Sequence, residues 1–429
     1  VEGPRFRYLP APLWAVLVLP FGLTVGYAQI AVPYTLRMRG LSMATIGAIS
    51  AISQTPHAIK FLWAPALDSG WKRKSWFYWM VAATAAALAL TALIPPSQTE
   101  HFGPFTLLQV YTAVLTIAAA AVSTSSSAVL ALMATTLPND VKGRASGWQT
   151  AGNLVGTNIG GALVTWFLAH LVPRLTGLLL ALMCGVCVIP AFFIDEAPLQ
   201  KHALRRLLLD LLQDVWRTLK SRDGWTGMII CLSPVGTGAL INLFSALARD
   251  YAPDDATREH MVVVVNGIFG GLIAGAGALV GGYVCDRMNR RFAYVLFGGV
   301  TALSAIGILL GPATPMAFTV GCLAYSFANG LCYAAFYAFV LEMIGEGAGV
   351  TTKLALFVGA SNLAINYVTW LDGVGYDWAE SMWKGHASAG RVGMCGMDAL
   401  SSFVGIAVLV AMMVFVRRWD ARAPQPQPA

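Results

Sequence analysis

An all-α, polytopic membrane protein is predicted, with twelve transmembrane helices in two pseudo-symmetric six-helix bundles, and three observations predict it. The 429 residues are 57% hydrophobic and only 11% charged, with a mean hydropathy of +0.65. Soluble domains are about one-quarter charged, so a water-facing surface of this size could not be covered. Second, the apolar residues come in uncharged blocks of about 20, the length that crosses about 30 Å of hydrocarbon at 1.5 Å per residue. Such blocks select helices over a barrel and exclude disorder, collagen and coiled coil. Third, the second half of the chain repeats features of the first.

Taken in order, the first span is read at 12–35. Arg5 and Arg7 precede it and no small-residue cleavage site follows, so a retained helix is expected. Spans at 43–67, 76–94, 105–133, 145–171 and 174–194 complete a first bundle, residues 1–194. Asp195 to Gly224 is the longest connection. Within it Leu204, Leu207, Leu208, Leu211, Leu212, Val215 and Leu219 recur at helical spacing among charges, the pattern of an amphipathic helix on the inner leaflet. The second bundle, 225–420, holds spans at 225–248, 261–284, 293–311, 316–341, 354–372 and 392–416. Pro20, Gly22, Gly26 and Pro33 in the first span, and Pro234, Gly236 and Gly238 in the seventh, mark corresponding interrupted helices, a pointer to a moving, site-lining pair. Residues 421–429, with alternating Pro and Gln, read as a disordered tail.

Lys and Arg give the orientation. Of 28, the loops on one side, including both termini, hold 20, and the other loops hold Arg37, Arg39, Arg174, Arg249, Arg258, Lys384 and Arg391. Both termini are therefore expected in the cytoplasm, in the inner membrane of a cell. The net charge of +7 is a topology signal, and no nucleic-acid partner is expected. Seven cysteines, mostly inside apolar runs, read as small apolar filler, Cys184 and Cys187 included. No metal site or cofactor is expected, and without a Walker sequence no ATP-driven pump.

The repeat is concrete. Asp68-Ser69-Gly70-Trp71-Lys72-Arg73-Lys74 follows the second span, and Asp286-Arg287-Met288-Asn289-Arg290-Arg291 follows the eighth. Arg144 and Asn153 are matched 209 positions later by Lys353 and Asn362. An aspartate at one helix end can accept from the free N–H groups at the start of a neighbouring helix and face its positive dipole end.

Six plus six helices, a central linker and these loops resemble the major facilitator superfamily. Gly282-x-x-x-Asp286-Arg287-x-x-Arg290-Arg291 fits that family's loop motif closely, while the first copy departs from it at Ala64 and Ser69. Lys60-Phe61-Leu62-Trp63-Ala64-Pro65, followed by Asp68, resembles the AmpG-type muropeptide permeases and the acetyl-coenzyme A transporter branch, a pattern that siderophore importers share in general form. The resemblance implies a secondary carrier importing a solute with protons. It also implies a cytoplasmic gate of Asp68, Arg73, Arg144, Asp286, Arg287, Arg290, Glu342 and Lys353, in which Asp68 latches onto the start of the eleventh span near Lys353 and Asp286 onto the start of the fifth near Arg144.

Polar groups at membrane depth need a reason, since a charge at mid-bilayer costs about 3 kcal/mol or more. Gln54, His57 and Lys60 share one face of the second span. Counted from Asp68, Lys60 lies about 12 Å and His57 about 16 Å into the membrane. A lumen-facing cation that meets an anionic solute or a coupled carboxylate is the favoured reading; a structural ion pair is the alternative. His57 is either a proton switch or a neutral core residue. Glu342 ends the tenth span, and Asp372 and Asp398 flank the outer loop between the last two spans, so no midplane carboxylate is expected. Tyr27, Gln29, Asn153, Asn158, Asn242, Asn329, Tyr333, Tyr337, Asn362 and Asn366 complete the candidate binding surface, some of them serving helix contacts instead.

These readings favour proton-coupled import of an anionic or polar organic solute by a monomer, with a muropeptide-like glycopeptide first and a siderophore or coenzyme A thioester behind it. A membrane-embedded acyltransferase is the competing class. The six histidines form no His-Asp or metal-ligand set, so no enzyme is expected. A channel or sensor is a third class.

Overall fold

The computed structural model describes residues 9–68, 71–196, 204–344, 350–386 and 388–422; the predicted tail lies outside them from residue 423 on, its first two residues instead ending the last helix, and the side chains of Asp68 and Arg144 lie outside them too. The described residues are mainly helical, with one two-stranded hairpin among them, His101–Phe102 paired antiparallel with Phe105–Thr106. Among the described residues, nine segments are long and apolar enough to cross a membrane. The other three spans complete the twelve, and each falls short for a reason that builds the site. Span 2 is a helix, Met43–Ile59, that tightens into 3₁₀ turns at Lys60–Leu62 and Ala64–Asp68. Span 5, Asn139–His170, is diluted by Gln149, Asn153, Thr157 and Asn158. Span 7 runs Arg222–Leu232, breaks, and resumes at Ala239–Asn242 and Phe244–Leu247.

Local chemistry sets several helix starts. Ser42 caps span 2 by accepting from the Thr45 N–H, Thr106 and Gln109 form a capping box on span 4 (Leu107–Thr136), and Asn289 caps span 9 (Arg290–Leu310). In the first half span 1 (Ala11–Met38) packs along span 5. The backbones approach so closely that a Cβ on Gly22 would sit 2.6 Å from the Gly156 Cα. The halves meet along two seams, span 2 on span 11 (Val350–Met382) and span 5 on span 8 (Asp255–Cys285). Spans 3 and 6 (Arg73–Leu93, Pro173–Phe193) pair at one flank, and spans 9 and 12 (Ala389–Arg422) at the other.

The linker helix, Leu204–Lys220, leaves Leu209, Leu212, Trp216 and Leu219 exposed beside a charged face. An apolar stripe with no protein cover is what a helix lying on a membrane surface presents. We call the side carrying this helix and the basic loops the basic side.

Three expectations are corrected. Span 1 is not interrupted: it stays helical through Pro20 and widens into a π turn at Tyr27–Ala31. The break in span 7 is real and has no counterpart. Span 11 continues ten residues past its predicted end at 372, because Asp372-Gly373 is not a terminus. Gly373 lets the helix pass the Met43 carbonyl, where a Cβ would stand 2.3 Å away. Asp372 and Asp398 are therefore not loop-flanking residues but fully buried ones, each about 14–15 Å from its helix end at 1.5 Å per residue.

Candidate functional site

The break in span 7 begins at Pro234, which has no N–H to continue the helix, and Gly236 and Gly238 take positive φ of 53° and 71°, a region costly for residues with a Cβ. Unwound backbone inside a membrane needs partners. The Tyr367 hydroxyl donates to the Leu232 carbonyl at 2.7 Å, and the Tyr294 hydroxyl to Val235 at 3.4 Å. The restart carries Asn242, whose amide donates to Thr369 Oγ1 at 2.9 Å.

Span 2 ends its α-helix for a related reason. Pro56 removes an internal N–H, and the chain turns 3₁₀ at Lys60. Two neighbours hold this turn. Trp63 Nε1 donates to Thr124 Oγ1 on span 4 at 2.9 Å, while Phe61 packs against the second half's core of Phe339, Phe357 and neighbours. Across the seam the Asn362 amide donates to the His57 carbonyl at 3.4 Å. The Lys60–Pro65 hexapeptide thus straddles the two halves.

Between the halves lies a cavity of ≈ 380 Å³, within the usual range for ligand sites. Ten predicted residues line it: Gln29, Gln54, His57, Lys60, Asn153, Asn242, Tyr333, Tyr337, Asn362 and Asn366. Ser126, Gln149 and Thr157 join them, with Phe21 stacked edge-on against the His57 ring at 5.2 Å between centroids. Neither ring nitrogen of His57 has a partner among the described residues, nor has the Lys60 ammonium. The Tyr333 and Tyr337 hydroxyls meet at 3.2 Å.

Three candidates fall elsewhere. Tyr27 is a core residue whose hydroxyl meets that of Tyr111 at 3.1 Å. Asn158 turns its amide back to the Leu154 carbonyl and packs against Gly271. Asn329 packs under the Gly238 turn.

Apart from the Asn362–His57 bond, the polar contacts between the halves among the described residues gather on the side opposite the basic loops. There Asp377 of span 11 accepts from the N–H groups of Met43 and Ala44 at 3.0 and 2.8 Å, capping span 2 from the other half. Arg37 donates to Tyr376 at 2.7 Å and lies 3.7 Å from Asp250, to which Tyr376 also donates. Arg249 donates to the Arg37 carbonyl, and His170 lies 3.5 Å from Glu259.

On the basic side Arg287, Arg290 and Glu342 make contacts within their own half. Arg290 and Arg291 lie 3.9 and 3.5 Å from Glu342, and the Arg287 guanidinium stacks on Tyr283. Asp286 is exposed, without a side-chain partner among the described residues. The N–H groups of Arg73 and Lys74 are capped by Glu196, and Arg73 also reaches Thr135. Lys353 makes no side-chain bond among the described residues.

The sequence reading missed an acid pair. Asp372 on span 11 and Asp398 on span 12 are both 0% exposed. The Tyr325 hydroxyl, from span 10 (Pro315–Ile344), faces both oxygens of Asp398 at 3.1 and 3.0 Å. A signal was present: Val368, Asp372, Tyr376 and Ala379, all buried, recur at helical spacing across the assumed helix end.

Twelve spans, two pseudo-equivalent halves and a polar cavity between them define a membrane protein of the solute-transporter type. The model of the Major Facilitator Superfamily matches residues 14–365, and the chain belongs to that family. In fold it is similar to the nucleoside transporter NupG (TM-score 0.73, 14% identity, covering 94% of this chain and 100% of that one). A D-xylose-proton symporter (0.67, 15%, 94% and 96%) and a bacterial homologue of the human lysosomal transporter Spinster in an inward-facing, unoccupied conformation (0.68, 12%, 96% and 99%) are similar too. Comparison with curated protein sequences gives no match.

Proposed function

We propose that the protein is a secondary carrier that imports an organic solute bearing an anionic group, with protons, by alternating access. The observation that carries this reading is Lys60: a cation lining a cavity of amides and phenols, with no carboxylate beside it. A charge at membrane depth without a partner is costly, and an anionic solute would supply the partner only when bound. The basic side is the cytoplasmic face by the excess of Lys and Arg, so the arrangement described is inward-facing, in the inner membrane. Proton coupling draws support from the similar fold of a D-xylose-proton symporter. Asp68 and Asp286 would latch the cytoplasmic side in the alternate state, where their loops approach spans 11 and 5.

Among solutes, the Lys60–Pro65 hexapeptide favours an anhydromuropeptide-like glycopeptide, because that segment is similar to the AmpG-type branch and lines the cavity through Lys60. A ferric siderophore and a coenzyme A thioester come next. Uptake of labelled anhydromuropeptide into proteoliposomes, with and without an imposed proton gradient and with the other two solutes as competitors, tests both parts. Accumulation above equilibrium only with the gradient is expected. Uptake indifferent to the gradient overturns coupling, and competition only by a solute without an anionic group overturns the solute class.

A further inference from the structure

The second half buries two carboxylates that the cavity does not use. Asp398 has its charge met by the Tyr325 hydroxyl, 3.1 and 3.0 Å from its two oxygens. Asp372, fully buried, has no hydrogen-bond partner on either oxygen among the described residues, and it lies within electrostatic reach of Asp398. Two carboxylate anions this close in a dry interior repel strongly, and an unpartnered anion there is among the costliest groups a protein can hold. One positive charge must therefore be shared by the pair. The other ionisable groups around it do not supply that charge directly. Tyr325 comes from span 10, Cys395 sits one turn and the buried Arg391 two turns from Asp398 along span 12, and Arg391 and Asp250 act on Cys395 and not on the pair. Span 2 brings only Met43, Ala44 and Gly47 to this stretch of span 11.

We propose that Asp372 and Asp398, with Tyr325, form a proton-binding site in which one exchangeable proton rests on Asp372 while Asp398 stays anionic under the tyrosine. The proton is taken from water as the O–H of Asp372 and leaves as the same proton; no other bond changes. As a coupling site it rests on the proton-coupled reading above. The broken span 7 supplies the mechanical link, because one 3₁₀ turn, Ala239–Asn242, touches both places: the Leu240 backbone amide faces the Tyr325 hydroxyl, and Asn242 lines the cavity. Movement of that turn on solute binding would alter the hydration and hydrogen bonding of the pair, which is how two sites bias one element.

Infrared spectroscopy of the purified protein tests the site without any solute. A protonated-carboxyl carbonyl band is expected near neutral pH, shifted in D₂O, abolished in Asp372→Asn and moved in frequency in Tyr325→Phe. Absence of the band, or its persistence unchanged in Asp372→Asn, overturns the proposal. Loss of the band when sodium replaces choline in the buffer also overturns it, in favour of a cation site. Coupling is read separately in proteoliposomes with labelled anhydromuropeptide. Asp372→Asn should lose tenfold or more of gradient-driven accumulation, a larger loss than in exchange at equal pH. Accumulation equal to wild type removes the coupling role. A wild type that ignores the gradient sinks the coupled reading itself, and the infrared band judges the site independently.

Discussion

The two halves place charge inside the membrane in opposite ways. The first half puts its cation, Lys60, and the nearby imidazole of His57 on the wall of the cavity with no partner among the described residues, whereas the second lines the same cavity with neutral Asn242, Tyr333, Tyr337, Asn362 and Asn366. Its acids, Asp372 and Asp398, are sealed a short distance away. Had the acids faced the cavity, Lys60 would be neutralised by an internal ion pair. On the proposed reading, separation keeps the cation available to a solute and the carboxylates available to a proton.

Removing the cation breaks this contrast most severely. A hydrogen bond to a charged group is worth about 1.5–3 kcal/mol, so Lys60→Ala should weaken apparent solute affinity roughly 10- to 100-fold, measured as uptake against solute concentration. Lys60→Arg should retain part of it. Unchanged affinity in Lys60→Ala would mean that the solute binds without its anionic group touching span 2.

Most of this contrast was legible in the sequence, and the part that was not has a physical cause. Lys60 and His57 stand out because topology explains every other basic residue, so the cavity wall of the first half could be read from charge and periodicity alone. Ten candidates found the cavity because amides and phenols on the inner helix faces are rare enough to stand out. Tyr27 misled because a buried phenol satisfied by another phenol, Tyr111, looks the same in sequence as one facing a solute. The acids were misplaced because Asp-Gly at 372–373 has the look of a turn. What overrides it is tertiary: Gly373 is needed to clear the Met43 carbonyl, and Asp377 one turn on is needed to cap span 2. Neither requirement is visible along one strand of sequence.

That cap gives the next largest effect, since it is one of the bonds by which the second half holds the first half closed on the side opposite the basic loops. Loss of a helix cap costs about 0.5–2 kcal/mol, which moves a two-state ratio roughly 2- to 30-fold. In Asp377→Ala, spin labels at Arg39→Cys and Trp378→Cys, both on that side, should populate longer distances than in the parent. Identical distance distributions would show that the Arg37, Tyr376 and Asp250 network holds the closure by itself.

A smaller effect is expected where the first half positions its cation indirectly. Trp63 touches span 4, not the cavity, so Trp63→Phe forfeits one hydrogen bond worth about 0.5–1.5 kcal/mol. Apparent affinity should fall roughly 2- to 10-fold, with Thr124→Ala producing the same loss and the double variant adding little. Additive losses would mean that Trp63 acts through packing and not through the Thr124 bond.

The smallest effect sharpens where the cavity wall ends. Tyr27 and Gln29 sit in the same π turn of span 1, yet Gln29 lines the cavity and Tyr27 is bonded to Tyr111 behind it. Tyr27→Phe should therefore lower thermal stability slightly and leave apparent affinity within about twofold, because a buried bond of this kind is worth only about 0.5–1.5 kcal/mol and no solute meets it. Gln29→Ala should do the reverse, raising the concentration for half-maximal uptake with little change in melting temperature. If the two variants exchange phenotypes, the π turn is wound the other way during transport, and the wall of the first half includes Tyr27 in the state that takes up solute.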